Sequence, residues 1–330
     1  MKIVAQAGRE DIAIVYIARM DSQNGREQGR LIEFVESVQP PLPRDEKWVL
    51  IISTLYGCPV GCSFCDAGNY FQGKLTKEDL LSQIDFLIQN RFGKREVPVK
   101  KFKIQFSRIG EPAFNENILD VLSLLPSLYD APGLIPSIST IAPKGGEDFF
   151  EKLLEIKKNI YKRQFQLQFS IHTTDSKKRD VLIPVKKWDF KEIADYAERF
   201  YVLGDRKVTL NFALAENMPV KPEVLLDHFS PDRFIIKVTP VNPTFRAMKN
   251  KITSHIKTSF KEYEVIENLK SVGYEVILSI GEPLENDIGS NCGQYIMHYL
   301  KEKELHKNEA VDGYTYPLMD FEKKGPFLFT

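Results

Sequence analysis

Cysteine is scarce in this chain, with four in 330 residues, and three of them (Cys58, Cys62 and Cys65) fall within eight residues while Cys292 stands far downstream. That clustering, in a chain with no secretory signal, excludes a disulfide framework and points to a metal or cluster. The segment Met1 to Asp11 carries Lys2, Arg9, Glu10 and Asp11 and lacks the apolar core of a signal peptide. No run approaches the roughly 18 apolar residues of a membrane span. A reducing cytoplasm is therefore the expected location, with no membrane partner. Charge of one sign is also missing: Lys+Arg and Asp+Glu each number 45. A zero net charge argues against a dedicated nucleic-acid binder. Two basic stretches remain, Lys94-Arg95 with Lys100, Lys101 and Lys103, and Arg246 through Lys261; each reads first as a solvated face. There is no internal repeat of fixed period and no low-complexity tract.

What is present is an ordinary globular composition, 43% hydrophobic and 27% charged, with a pattern that changes along the chain. Residues 12–20 and 31–38 are rich in β-branched and aromatic residues and flank a polar turn at Asp21-Ser22-Gln23-Asn24-Gly25, which predicts a small antiparallel hairpin. Pro40, Pro41 and Pro43 form a stiff connector. From Trp48 strands alternate with helices. The strands are expected at 48–54, 101–106, 134–140, 165–171, 206–213, 233–239 and 274–280. The helices are expected at 76–90, 115–128, 147–159, 190–203, 221–229, 259–272 and 291–303. Thr76 and Asn115 are the candidate caps of the first two helices. Such alternation means a parallel sheet with right-handed crossovers. It predicts an α/β fold, a partial (β/α)6-type barrel over residues 47–280, preceded by a β extension (1–46) and followed by a helical segment (281–330) that carries Cys292.

In barrels of this kind chemistry sits at the carboxyl ends of the strands. The first strand runs into Tyr56-Gly-Cys-Pro-Val-Gly-Cys-Ser-Phe-Cys65, the second into Ser107-Arg108-Ile109-Gly110-Glu111-Pro112, and later ones into Ser139-Thr140, Ser170-Ile171-His172 and Pro240-Val241-Asn242-Pro243. Three cysteines spaced Cys-x3-Cys-x2-Cys can hold three irons of a 4Fe-4S cluster and leave the fourth open. A structural zinc knot with Cys292 or a histidine as fourth ligand is the alternative. Taken singly, Glu111 also reads as a surface acid, His172 as a satisfied half-buried histidine, and Ser139 and Ser170 as helix caps. Glu36 reads equally as an outward carboxylate, and Cys292 also reads as a small buried hydrophobe.

Together the motifs resemble a known family. The cysteine pattern after the first barrel strand is similar to that of radical S-adenosylmethionine (SAM) enzymes, in which SAM chelates the open iron and one electron cleaves it to methionine and a 5′-deoxyadenosyl radical. Gly110-Glu111-Pro112-x-x-Asn115, Ile138-Ser139-Thr140, Phe169-Ser170-Ile171-His172, Pro240-Val241-Asn242-Pro243 and Asp287-Ile288-x4-Cys292-Gly293-Gln294 resemble, in the same order, the RlmN/Cfr group of RNA adenine methyltransferases, from about Leu31 to about Tyr295. The resemblance implies that Cys58, Cys62 and Cys65 bind the cluster. Gly110 and Glu111 would hold the SAM amino group, and Ser139, Ser170, Ile171, His172 and Asn242 would contact SAM. Cys292 would carry a methyl group donated by one SAM, from which a second SAM's radical takes hydrogen before the methylene adds to adenine. Glu36 resembles the family's proton-accepting glutamate. A flavodoxin- or ferredoxin-like electron donor is implied as a partner, with RNA as the substrate.

Two departures stand out. The family's resolving cysteine, seven residues before the first cluster cysteine, is Ile51 here, and isoleucine cannot perform thiol exchange. The family's helical accessory domain also has no counterpart in the roughly thirty residues before the matching region, too few for a core of their own. Both departures favour, as the alternative, hydrogen abstraction from a small molecule or peptide.

Overall fold

The computed structural model describes all residues except 21–28, 39–40, 258–262, 281–287, 289–294, 297–298, 301–317 and 323–330. The predicted turn at 21–25, most of the helix predicted at 291–303, and Cys292 itself lie outside the described residues.

In chain order the strands are β1 (Lys2–Arg9), β2 (Ala13–Arg19), β3 (Leu31–Ser37), β4 (Lys47–Ile52), β5 (Leu55–Gly57), β6 (Phe71–Lys74), β7 (Lys101–Phe106), β8 (Leu134–Thr140), β9 (Gln166–Ser170), β10 (Val208–Leu214), β11 (Phe234–Pro240), β12 (Glu275–Leu278) and β13 (Met319–Asp320). The α-helices are α1 (Lys77–Phe92), α2 (Asn117–Leu128), α3 (Glu147–Ile156), α4 (Ser176–Leu182), α5 (Phe190–Phe200), α6 (Pro222–Leu226), α7 (Phe245–Lys249) and α8 (Glu264–Ser271). Eleven strands form one sheet in the order β12-β11-β10-β9-β8-β7-β4-β3-β2-β1-β13, and β5 pairs with β6 in a separate hairpin. From β4 to β12 every neighbouring pair is parallel, the crossover arrangement of a partial (β/α) barrel. From β4 outward through β3, β2, β1 and β13 the pairs are antiparallel. The expected hairpin is thus part of a larger extension that continues the barrel sheet.

Local chemistry explains most boundaries. Thr76 and Asp79 form a reciprocal capping box at the start of α1, which ends on Gly93 in the left-handed region, and Asp189 and Glu192 form a second box at α5. Asn115 accepts from the Asn117 amide at 3.2 Å, and its side-chain amide donates to the carbonyls of Thr54 and Leu75 at 2.7 and 2.9 Å. It therefore ties the start of α2 to the end of the first barrel strand. The helix expected over 147–159 changes to a π turn at Lys157–Tyr161, where the buried Lys157 ammonium reaches the Phe200 carbonyl at 2.8 Å and pairs with Asp205. Sequence periodicity alone missed β1, β13, the β5–β6 hairpin, α4 and α7, all short or irregular except β1.

The sheet has two faces. Trp48, Leu50, Ile52, Phe102, Ile104 and Phe106 pack outward with Leu80, Ile84, Leu87 and Ile88 of α1. Val15, Ile17, Val35, Val49 and Ile51 face the other way and pack with Ile288, Tyr295, Ile296 and Tyr299. Glu36 belongs to the outward, helix-facing set. Its carboxylate accepts from Tyr16 at 2.8 Å, from the Trp48 indole at 3.2 Å, and from Arg91 of α1 at 2.8 and 2.7 Å. Strand alternation carries Glu36, the expected proton acceptor, to the sheet face opposite the one that borders Cys58 and Cys65, where it is a buried counter-charge to Arg91. Glu36→Gln should lower the unfolding free energy by about 3–5 kcal/mol in a urea titration, because Arg91 loses its buried partner. A catalytic Glu36 would instead give a variant of normal stability and lost activity.

Candidate active site

The cysteine loop is held before any ligand arrives. The Cys58 amide donates to the carbonyls of Ala67 and Tyr70 at 2.8 and 3.0 Å. Gly57 has φ +78°, and a Cβ there would stand 1.7 Å from the Tyr70 carbonyl oxygen, so only glycine fits. From outside, four hydrogen bonds bind the loop to the two ends of α7. The Asp66 carboxylate accepts from the Phe245 and Arg246 amides at 3.2 and 2.9 Å, Thr244 donates to the Phe64 carbonyl at 2.8 Å, and Asn250 donates to the Ser63 carbonyl at 2.6 Å. Ser63 in turn donates to the Val181 carbonyl in the last turn of α4 at 2.7 Å. These positions were not singled out in the sequence; the only signal was an aspartate directly after Cys65.

None of the three cysteines is in a disulfide, and all three are half-buried. Burial pushes Cys58 up to about 11 and Cys62 up to about 12, a shift that a bound cation would oppose by stabilising the thiolates. Among the described residues no three Cys, His, Asp or Glu side chains converge as a single metal ion would require. A four-iron cluster instead spaces its thiolates at separate corners, and the donor set fits it.

The strand ends complete the mouth. Gly110 has φ +104°, and a Cβ would meet Leu55 and Thr54 at 2.6 Å. The Thr54 and Leu55 amides donate to Ile109 at 2.7 and 3.1 Å, so the loops after β4 and β7 are clipped together. Glu111 is buried, not a surface acid. It accepts from the Ala113 and Ile141 amides at 3.1 and 2.9 Å and from the Thr140 hydroxyl. Burial raises its carboxyl to about 7, opposed by these donors. Ser139 accepts from Gln168 at 2.9 Å, and the caps of α3 and α4 are Gly146 and Asp175, so neither Ser139 nor Ser170 is a helix cap. Opposite Ser170 in the ladder stands Asn211, whose Oδ1 is buried with no hydrogen-bond partner among the described residues. An orphaned acceptor beside these hydroxyls fits a polar ligand that brings its own donors. Ile171 is fully buried. The carbonyl of Asn242 accepts from the Thr244 amide at 2.8 Å, which links this residue to the turn holding the cysteine loop. His172 has φ +66° and packs edge-on against Phe64 of the cysteine loop at 5.0 Å. Its Nδ1 accepts from the Ala213 amide at 2.9 Å, which places the proton of the neutral ring on Nε2.

No protein-family model matches the chain. It is similar to a curated protein named probable dual-specificity RNA methyltransferase RlmN from Thermosipho melanesiensis, 28% identical over 252 residues that cover 74% of this chain and 67% of that protein. A dual-specificity RNA methyltransferase RlmN from Wolinella succinogenes is 24% identical over 293 residues, covering 87% and 74%. The solved structure of a radical SAM methyltransferase from Sphaerobacter thermophilus shares the fold, with TM-score 0.61, 18% identity, and coverage of 89% of this chain and 80% of that one. In sequence the chain is similar to RlmN-type radical SAM methyltransferases.

Around the cysteine loop, an apolar cluster joins Ile51, Ala67, Ile109, Ile288, Tyr295, Ile296 and Tyr299, with Cys58, Cys65 and Tyr70 at its border. Ile51, where the family has its resolving cysteine, is thus buried at the mouth. So is a carboxylate that sequence reading passed over: Glu33, two residues from Val35 on the same strand face, forms an ion pair with Arg108 at 2.7 Å. Period-two alternation in 31–37 already separates Glu33 from Glu36.

One consequence concerns acid stability. Burial, with a smaller contribution from Arg179, lowers His172 from its ordinary 6.5 to about 3. Between those values the unfolded chain binds a proton that the folded chain does not, so folded stability is full above pH 6.5 and falls as pH drops. His172→Asn, a residue that tolerates positive φ, should flatten this dependence by up to about 1.4 kcal/mol per pH unit below 6.5 in urea unfolding. Parallel curves for the two proteins would show that the imidazole titrates freely.

Proposed function

We propose that this enzyme is a methyl synthase that transfers a SAM-derived methyl(ene) group through methylated Cys292 to an sp2 carbon, an RNA adenine. One observation carries the reading. The residues that bracket Cys292 in sequence, Ile288 on one side and Tyr295, Ile296 and Tyr299 on the other, are buried in the cluster that borders Cys58, Cys65 and Tyr70. A carrier cysteine needs that neighbourhood, since reacting groups must be brought together before chemistry.

In this reading Cys58, Cys62 and Cys65 would hold a 4Fe-4S cluster, which would supply the electron for reductive cleavage of SAM. Gly110 and Glu111 receive the SAM ammonium, a charge-assisted contact that keeps the buried carboxylate ionised. Ser139, Ser170, Ile171, neutral His172 and Asn242 line the rest of the SAM site. A flavodoxin- or ferredoxin-like protein supplies electrons. Residues 47–280 would form the catalytic barrel, with 1–46 as the N-terminal β extension and 281–330 as the C-terminal segment that carries Cys292. Cytoplasmic residence suits the chemistry; among the described residues no helix is long and apolar enough to cross a membrane.

RNA as substrate draws support from the second basic stretch. Arg246, Lys249 and Lys251 lie on α7 and the turn after it, the element tied to the cysteine loop through Asp66, Thr244 and Asn250. In the first stretch Lys94 pairs with Glu96, Arg95 with Asp85 and Lys100 with Glu46, so these three cations are already matched. The second reading, hydrogen abstraction from a small molecule or peptide without RNA methylation, is favoured by Ile51. A buried isoleucine leaves no thiol to resolve an RNA adduct.

Anaerobic, cluster-replete enzyme incubated with SAM and reductant should gain one methyl increment, mapped by peptide mass spectrometry to Cys292 and absent from Cys292→Ala. Unmodified Cys292 in such a preparation would remove the carrier mechanism. Ile51→Cys should speed release of methylated RNA in single-turnover experiments. An unchanged rate would mean that resolution runs through an external thiol or that RNA is not the substrate.

A further inference from the structure

The Glu33–Arg108 pair has no role in the reaction as described, yet it is among the most deeply buried charges of the molecule. The side chains of Glu33 and Arg108 are 0% and 3% exposed. Glu33 lies on β3, in the antiparallel extension. Arg108 follows β7 in the barrel, where its amide donates to the Ile52 carbonyl at 3.0 Å. The Arg108 guanidinium donates to Glu33 Oε1 at 2.7 Å, and the backbone amide of Ile296 donates to Oε2 of the same carboxylate at 3.0 Å. The Tyr295 amide acts on it as well. One carboxylate therefore joins three separate parts of the chain: extension, barrel mouth and C-terminal segment.

Burial pushes the Glu33 carboxyl above the ordinary carboxylate range, and Arg108 is the largest influence opposing it. Such a pair is an expensive way to fill a core, since apolar residues of similar volume are often as stable or more so. What apolar residues cannot do is fix a particular backbone amide in one place. The apolar contacts of Tyr295, Ile296 and Tyr299 tolerate sliding, whereas a charge-assisted hydrogen bond fixes register.

We infer that Glu33, held by Arg108, is a positioning residue that fastens the chain at Tyr295 and Ile296 to the barrel mouth and so limits how far from that point Cys292, four residues before Ile296, can reach. The latch needs only the contacts above; its consequence for catalysis rests on the methyl-carrier reading.

Two variants of the reconstituted holoenzyme test it. Glu33→Gln removes the charged acceptor. The double variant Glu33→Leu with Arg108→Met removes the pair without leaving an unpaired charge, and guards against a fold failure in the first. Hydrogen exchange at residues 295–299, followed by mass spectrometry, should accelerate about tenfold to a hundredfold in both, the factor that loss of a hydrogen bond to a charged acceptor carries. Iodoacetamide labelling of Cys292, the one cysteine outside the cluster motif, should accelerate with it, while iron per chain and the visible spectrum stay those of the parent. Unchanged exchange and labelling in the folded double variant would overturn the latch. Failure of the carrier reading looks different: the latch variants still loosen the segment, but SAM leaves Cys292 unmodified in the parent enzyme.

Discussion

The antiparallel ladder between β3 and β4 is the constraint on which the site depends. Val35 lies opposite Ile51, Glu36 opposite Leu50 and Ser37 opposite Val49. This register joins the extension to the first barrel strand and assigns every residue of 31–37 to a face. Slipping by one residue would exchange the two sets. Glu36 would leave Arg91 and Trp48, and Glu33 would leave Arg108. Both carboxylates are buried and paired, so each holds the register from its own side of the sheet. The sheet that carries the C-terminal segment is thereby continuous with the strand that launches the cysteine loop.

The mouth itself is built by clamping loops to one another. Asn115 and the Ile109 carbonyl bind the end of β4, Glu111 spans from the loop after β7 to the end of β8, and Asp66 gathers the amides at the start of α7. Preorganisation of this kind suits radical chemistry, in which reactive groups must be fixed and water kept out. His172 contributes a neutral ring with Nδ1 already engaged, which leaves Nε2–H as a defined donor.

Much of the fold was legible because strands in a parallel sheet read as apolar runs separated by helices with visible caps. The strands at 101–106 and 134–140 occur at the bounds that sequence predicted, and Thr76 caps α1 as expected. The elements that escaped lack such signals. Strand β13 has two residues, β5 and β6 exist only because the cysteine loop folds back on itself, and α7 is a single five-residue turn set by its own N-cap, Thr244, and by Asp66 from a distant position. For the site, the order of short motifs at strand ends was readable. The partners that clamp them were not, because Asp66 meets Arg246 across 180 residues and Glu33 meets Ile296 across 263.

Sequence by itself determined the chemistry available: three closely spaced cysteines, a Gly-Glu-Pro turn and a lone cysteine far downstream. These are local facts, encoded by spacing and by residue type. Only the tertiary structure decided which of two glutamates on one strand faces the mouth. That outcome rests on how β3 registers against β4 and on which buried cation, Arg91 or Arg108, waits on each side. No spacing within residues 31–37 encodes the position of either arginine, because β-strand alternation sorts residues into two faces without saying which face is the site.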